Sequence, residues 1–269
     1  YKPVEAGSFY ASYGISHLPH GSPLSDPDTS RTGENAFPGF VPGADPVELH
    51  NYEVGVKWDW FGGKFSTTAA LFRTEKHNVA ITGRDVGETA TTFKGYGEQI
   101  VEGIEIGFAG NLTDRWKAFG GVTWMDSERR HSAYLDDVRR RANAADYGDA
   151  LRTNGDELAF TPNFFATLWT TYDFTDKLTL GAGLQYVGDS YIGRPDDANR
   201  IIKNDRYGKL PDYFLVNLMA SYDITDNIEL SLNVDNVFDE TYLTTANWNG
   251  NWGYLGAPRT YWLSANFKY

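Results

Sequence analysis

The stretch Asn51-Tyr52-Glu53-Val54-Gly55-Val56-Lys57-Trp58-Asp59-Trp60 decides the fold. In an extended chain, Tyr52, Val54, Val56, Trp58 and Trp60 fall on one side, and Asn51, Glu53, Gly55, Lys57 and Asp59 on the other. A period of two is the signature of a strand with one apolar and one polar face. The C-terminal stretch repeats it, with Tyr261, Leu263, Ala265, Phe267 and Tyr269 alternating with Trp262, Ser264, Asn266 and Lys268. So do Leu178–Tyr186, Ile228–Asp235 and Phe214–Tyr222. Alternation is weaker around Phe65–Arg73, Trp116–Trp124 and Phe164–Tyr172, and the facing of those segments stays open.

Working outward, the connections come in two kinds. Four are short: Phe61–Lys64, Asn111–Arg115, Phe174–Lys177 and Ile224–Asn227. Three of these carry a Thr-Asp pair between apolar neighbours, which suits a tight hairpin. Five are long: His17–Glu48, Thr82–Thr92, Arg129–Asp156, Arg194–Gly208 and Thr244–Pro258. Long and short connections alternate along the chain. The pattern predicts ten strands, over 4–16, 49–60, 64–81, 93–109, 116–128, 157–173, 177–193, 209–223, 228–243 and 259–269.

Composition narrows the class. The 269 residues include no Cys, which excludes a disulfide scaffold, a Cys-ligated metal and a Cys nucleophile. A net charge of -12 argues against a nucleic-acid partner. No run of 18 apolar residues provides a membrane helix, but strands cross membranes by alternation instead. The first residue is Tyr1 and no signal peptide pattern follows it. A soluble sandwich also alternates, yet its strands average about 5–6 residues. Longer strands, short turns at one end with long loops at the other, and a polar face of Gly, Ser, Thr, Asn, Glu and Gln fit a transmembrane antiparallel β-barrel instead. Trp58, Trp60, Tyr172, Tyr222, Phe267 and Tyr269 are expected in an aromatic girdle at the turn end, and Tyr186, Tyr191 and Tyr242 toward the loop end.

Four passages resemble the TonB-dependent outer-membrane receptors, most closely the ferric-siderophore branch: Asn51–Lys57, Val101-Glu102-Gly103-Ile104-Glu105-Ile106, Asn233–Tyr242, and Gly256–Tyr261 with the ending Phe267-Lys268-Tyr269. The resemblance implies an all-β fold in which residues 1–269 form the last ten strands of a 22-stranded barrel. The N-terminal plug domain, the coupling motif (TonB box) and the first barrel strands are then absent, and the chain is expected to be a fragment or one piece of a barrel completed elsewhere. The implied function is energy-coupled uptake of a ferric siderophore across the outer membrane of a Gram-negative bacterium. The implied partners are the siderophore, the TonB complex acting through the missing plug, the barrel assembly machinery and lipopolysaccharide. Phe267 and Tyr269 resemble the terminal assembly signal of such barrels.

A mouth for a bulky, anionic, aromatic ligand needs Arg for charge-assisted hydrogen bonds and aromatic faces for stacking. Arg129, Arg130 and Tyr134 in one loop, Arg194 and Arg206 in a second, and Trp248, Trp252 and Tyr254 in a third supply that mixture and are the candidate ligand-binding residues. The arginine-rich loop reads equally as a salt-bridged solvent loop or as a surface facing lipopolysaccharide phosphate. No catalytic set, resident cofactor or metal site is indicated. Glu53, Glu105 and Asp59 read as parts of a polar wall, and His17 and His20 as solvated. Alternatives are uptake of haem, vitamin B12 or an oligosaccharide, a passive porin, or a ten-stranded outer-membrane protease with His131 near Asp126.

Overall fold

The structure is a computed structural model and describes residues 1–18, 45–83, 92–130, 157–192, 209–247 and 250–267. In chain order the strands are β1 (Gly7–Leu18), β2 (Val47–Trp60), β3 (Phe65–Gly83), β4 (Thr92–Asn111), β5 (Trp116–Arg130), β6 (Phe164–Asp173) and β7 (Leu178–Val187). There follow β8 (Ser190–Tyr191), β9 (Lys209–Leu210), β10 (Tyr213–Thr225), β11 (Ile228–Asp235), β12 (Leu243–Ala246), β13 (Gly253–Leu255) and β14 (Thr260–Phe267). Ten of them form one antiparallel sheet in the order β1-β2-β3-β4-β5-β6-β7-β10-β11-β14, so neighbours in sequence are neighbours in space. The two remaining pairs, β8–β9 and β12–β13, are small hairpins at the loop end.

The register puts the apolar stripes on one face. Val54 stands opposite Ala11 and Leu71, Leu71 opposite Ile104, and Ile104 opposite Trp124. Farther along, Leu180 stands opposite Tyr172 and Ala220, Ala220 opposite Leu232, and Leu232 opposite Leu263. Val54, Leu180 and Leu232 are 51%, 42% and 41% exposed, so this band is an outer skin rather than a dry core. Among the described residues, no large side chain is fully buried. At the turn end, Trp58, Trp60, Trp116, Tyr172, Tyr222 and Phe267 lie on the same face, as a girdle requires. Tyr186 joins the loop-end border beside Phe214. Tyr191 and Tyr242 do not, because they belong to or adjoin the small hairpins and not the large sheet.

The opposite face is polar but not uniformly so, which explains the weak alternation in β3, β5 and β6. Phe72, Phe119 and Trp169 lie on it, next to Glu53, Glu105, Lys57 and Asp59. Two of these rings, those of Phe72 and Trp169, cover glycines on the neighbouring strand. A methyl group at Gly183 would sit 2.6 Å from the Trp169 ring, and one at Gly103 would meet Phe72 at 2.9 Å. Tyr10 lies over Gly55 in the same way, and its hydroxyl donates to Glu53.

Three short turns share one device. Thr113 Oγ1 accepts from the Trp116 amide at 3.0 Å, Thr175 Oγ1 from the Leu178 amide at 2.9 Å, and Thr225 Oγ1 from the Asn227 amide at 3.3 Å. Ion pairs tie successive turns together, Lys64 to Asp114 at 2.9 Å and Arg115 to Asp176 at 2.8 Å. The Lys64 ammonium, by hydrogen bond and charge, holds the Asp114 carboxyl below the usual carboxylate range.

Several boundaries differ from the sequence expectation, each for a local reason. The sixth strand starts at Phe164, not 157, since Phe160 has φ 55° and Pro162 follows. The strand expected over 228–243 ends at Asp235, because Asn236 is left-handed at φ 51°. The strand expected over 177–193 stops at Val187, and the one over 209–223 is broken at Pro211-Asp212. The segment 244–258, expected as a loop, contains the β12–β13 hairpin. Strand β5 runs on to Arg130, two residues beyond the expected end.

Asn236 is the buried staple of the last hairpin, at 3% exposure. Its amide donates to the carbonyls of Glu240 at 2.9 Å and Ala257 at 3.1 Å, and its Oδ1 accepts from the Glu240 amide at 2.9 Å. Its own backbone N–H reaches Asn217 Oδ1 at 2.8 Å. Arg259 closes the arrangement by donating to Asp239 Oδ1 from its backbone at 2.9 Å and to the Val237 carbonyl from its side chain at 3.2 Å. Two of the four passages that carry the family resemblance, Asn233–Tyr242 and Gly256–Tyr261, are therefore one structural unit.

Two outcomes follow for the complete receptor in detergent or bilayer. Val54→Lys or Leu232→Lys is expected to cost about 2–4 kcal/mol in denaturant unfolding, while Ser231→Lys on the polar face costs little. Asn236→Ala is expected to lower stability by about 3 kcal/mol, through lost buried hydrogen bonds and an unfavourable φ. Asn236→Gly recovers only the backbone share, about 1 kcal/mol, and thermal melts read both.

Candidate ligand mouth

The long connections and both small hairpins emerge from one end of the sheet. There the β12–β13 hairpin is held by the Asn247 amide donating to the Trp252 carbonyl at 2.8 Å and by Thr244 Oγ1 donating to the Tyr254 carbonyl at 3.2 Å. Gly250 at φ 70° turns the chain between its arms. The hairpin places Trp252 against Tyr254, edge to face, with ring centroids 5.1 Å apart. The two are 52% and 59% exposed, and Leu255 beside them is also exposed. Large apolar side chains left in water in a group mark a contact surface. At the root of the hairpin the Tyr242 ring covers Gly256 and lies 4.5 Å from the Tyr213 ring.

The β8–β9 hairpin adds a cation. Lys209 Nζ bonds Asp189 Oδ2 at 2.6 Å and lies 4.4 Å from the centre of the Tyr191 ring. The Asp189 hydrogen bond pushes the Lys209 ammonium above its usual range. This lysine is thus a fixed charge, already engaged by a carboxylate.

The predicted arginines divide. Because β5 extends through them, Arg129 and Arg130 point to opposite faces. Arg129 stands opposite Gln99 on the polar face and is only 4% exposed. Two residues before it on the same face, Ser127 Oγ accepts from the Leu158 amide at 3.0 Å. Arg130 is on the face of the apolar band, paired with Glu128 at 3.0 Å and Glu98 at 3.9 Å. The structure therefore does not bring these two arginines together in one exposed patch. Asp126, weighed with His131 as a protease pair, is on that same outer face, opposite Glu102. Tyr134, His131, Arg194, Arg206, Trp248 and Tyr269 lie outside the described residues. Phe267 pairs with Ile228 at the turn end of the last strand. Sequence reasoning missed Asn236, the element that sets where the aromatic hairpin leaves the sheet. Its signal was the Asn-Val-Phe-Asp run, which reads as a strand until the left-handed Asn is seen.

Residues 1–237 match the family described as "TonB dependent receptor-like, beta-barrel". The whole chain is 34% identical over 269 residues to the probable TonB-dependent siderophore receptor PiuA of Acinetobacter baumannii, covering 33% of that protein. It is 29% identical over 269 residues to the catecholate siderophore receptor Fiu of Escherichia coli K12, covering 32% of it. The crystal structure of PiuA superposes on the full chain with a TM-score of 0.78 at 33% identity, over 35% of that chain. The chain spans about a third of the length of the relatives it matches. With ten strands in uninterrupted antiparallel order and a sequence match over most of their length, the chain belongs to the TonB-dependent receptor-like β-barrel family.

Proposed function

We propose that this chain forms ten barrel strands of an outer-membrane receptor that takes up a ferric siderophore of the catecholate type in a Gram-negative bacterium. The observation that carries this reading is the end-to-end likeness to PiuA and Fiu, whose names state siderophore and catecholate siderophore reception. The Trp252–Tyr254 pair supports it from the physical side. Catechol rings are flat and aromatic, and two exposed rings at right angles offer one face and one edge for offset stacking. Tyr134, Arg194, Arg206 and Trp248 remain proposed contacts.

Uptake draws energy from the TonB complex through a plug domain belonging to the rest of the receptor. Phe267 and Tyr269 serve as the address for barrel assembly, and the apolar face meets lipopolysaccharide in the outer leaflet. No enzymatic step is part of this reading.

Titrating the complete receptor with a ferric catecholate complex, followed by intrinsic tryptophan fluorescence, tests the proposal. Saturable binding is expected, and Trp252→Ala and Tyr254→Ala should each weaken it about tenfold, the worth of one lost aromatic contact in a desolvated site. Binding of haem or vitamin B12 in place of any ferric siderophore overturns it.

A further inference from the structure

The excursion that carries the aromatic pair is held at its root by one side chain. Asn236 follows directly on β11 and is buried. Its Nδ2 donates to the Glu240 carbonyl at 2.9 Å and to the Ala257 carbonyl at 3.1 Å. Glu240 lies where the chain leaves toward β12, and Ala257 where it returns from β13 to β14. Both stems of the excursion are therefore fastened to the same amide group. Its Oδ1 also accepts from the Glu240 amide at 2.9 Å, so the outgoing stem is held twice.

From this clamp the pairing climbs rung by rung to the rings. The Gly256 amide donates to the Tyr242 carbonyl at 2.8 Å. Leu243 then stands opposite Leu255, Thr245 opposite Tyr254 and Ala246 opposite Gly253. Thr244 is the extra residue on this ladder, and its Oγ1 donates to the Tyr254 carbonyl at 3.2 Å. The Asn247 amide, donating to the Trp252 carbonyl at 2.8 Å, is the uppermost of these bonds. Each rung fixes the register of the next, so the register set at Asn236 is carried to Tyr254 and Trp252.

Packing holds the stem from the side. The Tyr242 ring lies over Gly256, where a methyl group would run into it, and 4.5 Å from the Tyr213 ring at the start of β10. Strand β12 also lies beside β9. The stem is thus seated on the sheet and against the second hairpin.

A ligand that stacks on Trp252 and Tyr254 must order whatever is loose in them, and that ordering is subtracted from the affinity. A hairpin fixed in advance keeps the cost small. We propose that Asn236 is a positioning residue for the ligand: by tying both stems of the excursion to the end of β11, it presets the Trp252–Tyr254 pair before ligand arrives. The inference rests on the catecholate-siderophore reading of that pair. Asn236 is covered by protein, so its influence on a ligand passes through the hairpin.

Two substitutions separate the clamp from the backbone around it. The Asn236 backbone N–H donates to Asn217 Oδ1 at 2.8 Å. Asn236→Gly keeps that bond and tolerates the φ of 51°, and removes only the side-chain bonds. Asn236→Asp keeps an acceptor for the Glu240 amide but has no donor for the two carbonyls.

Both variants are tested in the complete receptor. In hydrogen exchange without ligand, amides of residues 243–247 and 253–255 are expected to exchange about tenfold faster than in the unmodified receptor, while those of residues 218–222 in β10 are unchanged. Affinity for the iron(III) complex of catechol should fall about fivefold in each variant. In a receptor already carrying Trp252→Ala, the same substitutions should lower it by less than about twofold, because the geometry they disturb is gone. A residue that only stabilised the fold would weaken binding by the same factor in both backgrounds. Unchanged hairpin exchange in both variants, unchanged affinity despite faster exchange, or an equal loss with and without Trp252 overturns the proposal. No binding of the complex by the unmodified receptor overturns the siderophore reading instead, and the exchange measurement, made without ligand, then still upholds or overturns the clamp.

Discussion

Every backbone N–H and C=O that enters hydrocarbon must be paired inside the protein, and this constraint shapes the chain more than any side-chain contact. It explains why the register is unbroken through the apolar band on all ten strands. The three irregularities that interrupt the pairings of the large sheet lie outside that band, at Lys76/Val79 and Ile81/Thr82 on the loop side and Asp223/Thr225 on the turn side. It also explains the two edges of the sheet, β1 and β14. An edge is a row of donors and acceptors, each costing several kcal/mol if left bare in lipid. Tyr1 already pairs with Phe9 on the free side of β1, through hydrogen bonds of 2.7 and 2.8 Å. Each edge calls for a further strand, which suits a chain spanning about a third of the length of its relatives.

With the backbone so constrained, the side chains divide the strands into three zones. The turn end is rigid, its threonine hydroxyls folding back on the next amides and its ion pairs linking one turn to the next. The middle is a skin of Val, Leu, Ile and aromatic residues. The loop end is irregular, with left-handed residues at Asn78, Phe160, Asn236 and Asp239. Such residues are stable only where their surroundings over-determine them, as the amide of Asn236 does for its own turn. Irregularity collects where the chain must leave the sheet at particular angles to build a mouth.

This division also sets what could be read from the sequence. Strand number, order and facing were legible wherever one face is aliphatic and the other polar, as from Asn51 to Trp60. Legibility fell in β3, β5 and β6, where Phe72, Phe119 and Trp169 occupy the polar face. A ring lying across a neighbouring glycine is a pairwise fact, and no single-strand pattern contains it. The mouth was legible by composition only. Trp252 and Tyr254 were found because exposed aromatics are costly, but their hairpin was read as a loop. Arg129 and Arg130 read as neighbours in a patch when the strand is ended two residues early; once it is extended, alternation sends one to the polar face and the other to the outer face. Boundaries depend on side-chain partners such as Glu98 that are distant in sequence, and these appear only when the strands are paired.

The same logic bears on why charges crowd the loop-side border on β1 to β5 while rings occupy it on β6, β7 and β10. A ring at the border anchors a strand by straddling apolar and polar surroundings, and it needs no partner. A charged side chain there needs one, and the partner is supplied by the neighbouring strand: Glu102 for Arg73, and Glu98 for both His77 and Arg130. Strands β2 to β5 run farther past the apolar band than β6 and β7 do, with 14 to 20 residues against 10. Beyond the band they lose the lipid that pins them and gain water that competes for their ladders. Cross-strand ion pairs restore the lost hold in that zone, and unlike rings they weaken as salt rises. The longer strands are thereby held past the band by paired charges, and the shorter ones at its border by aromatic rings.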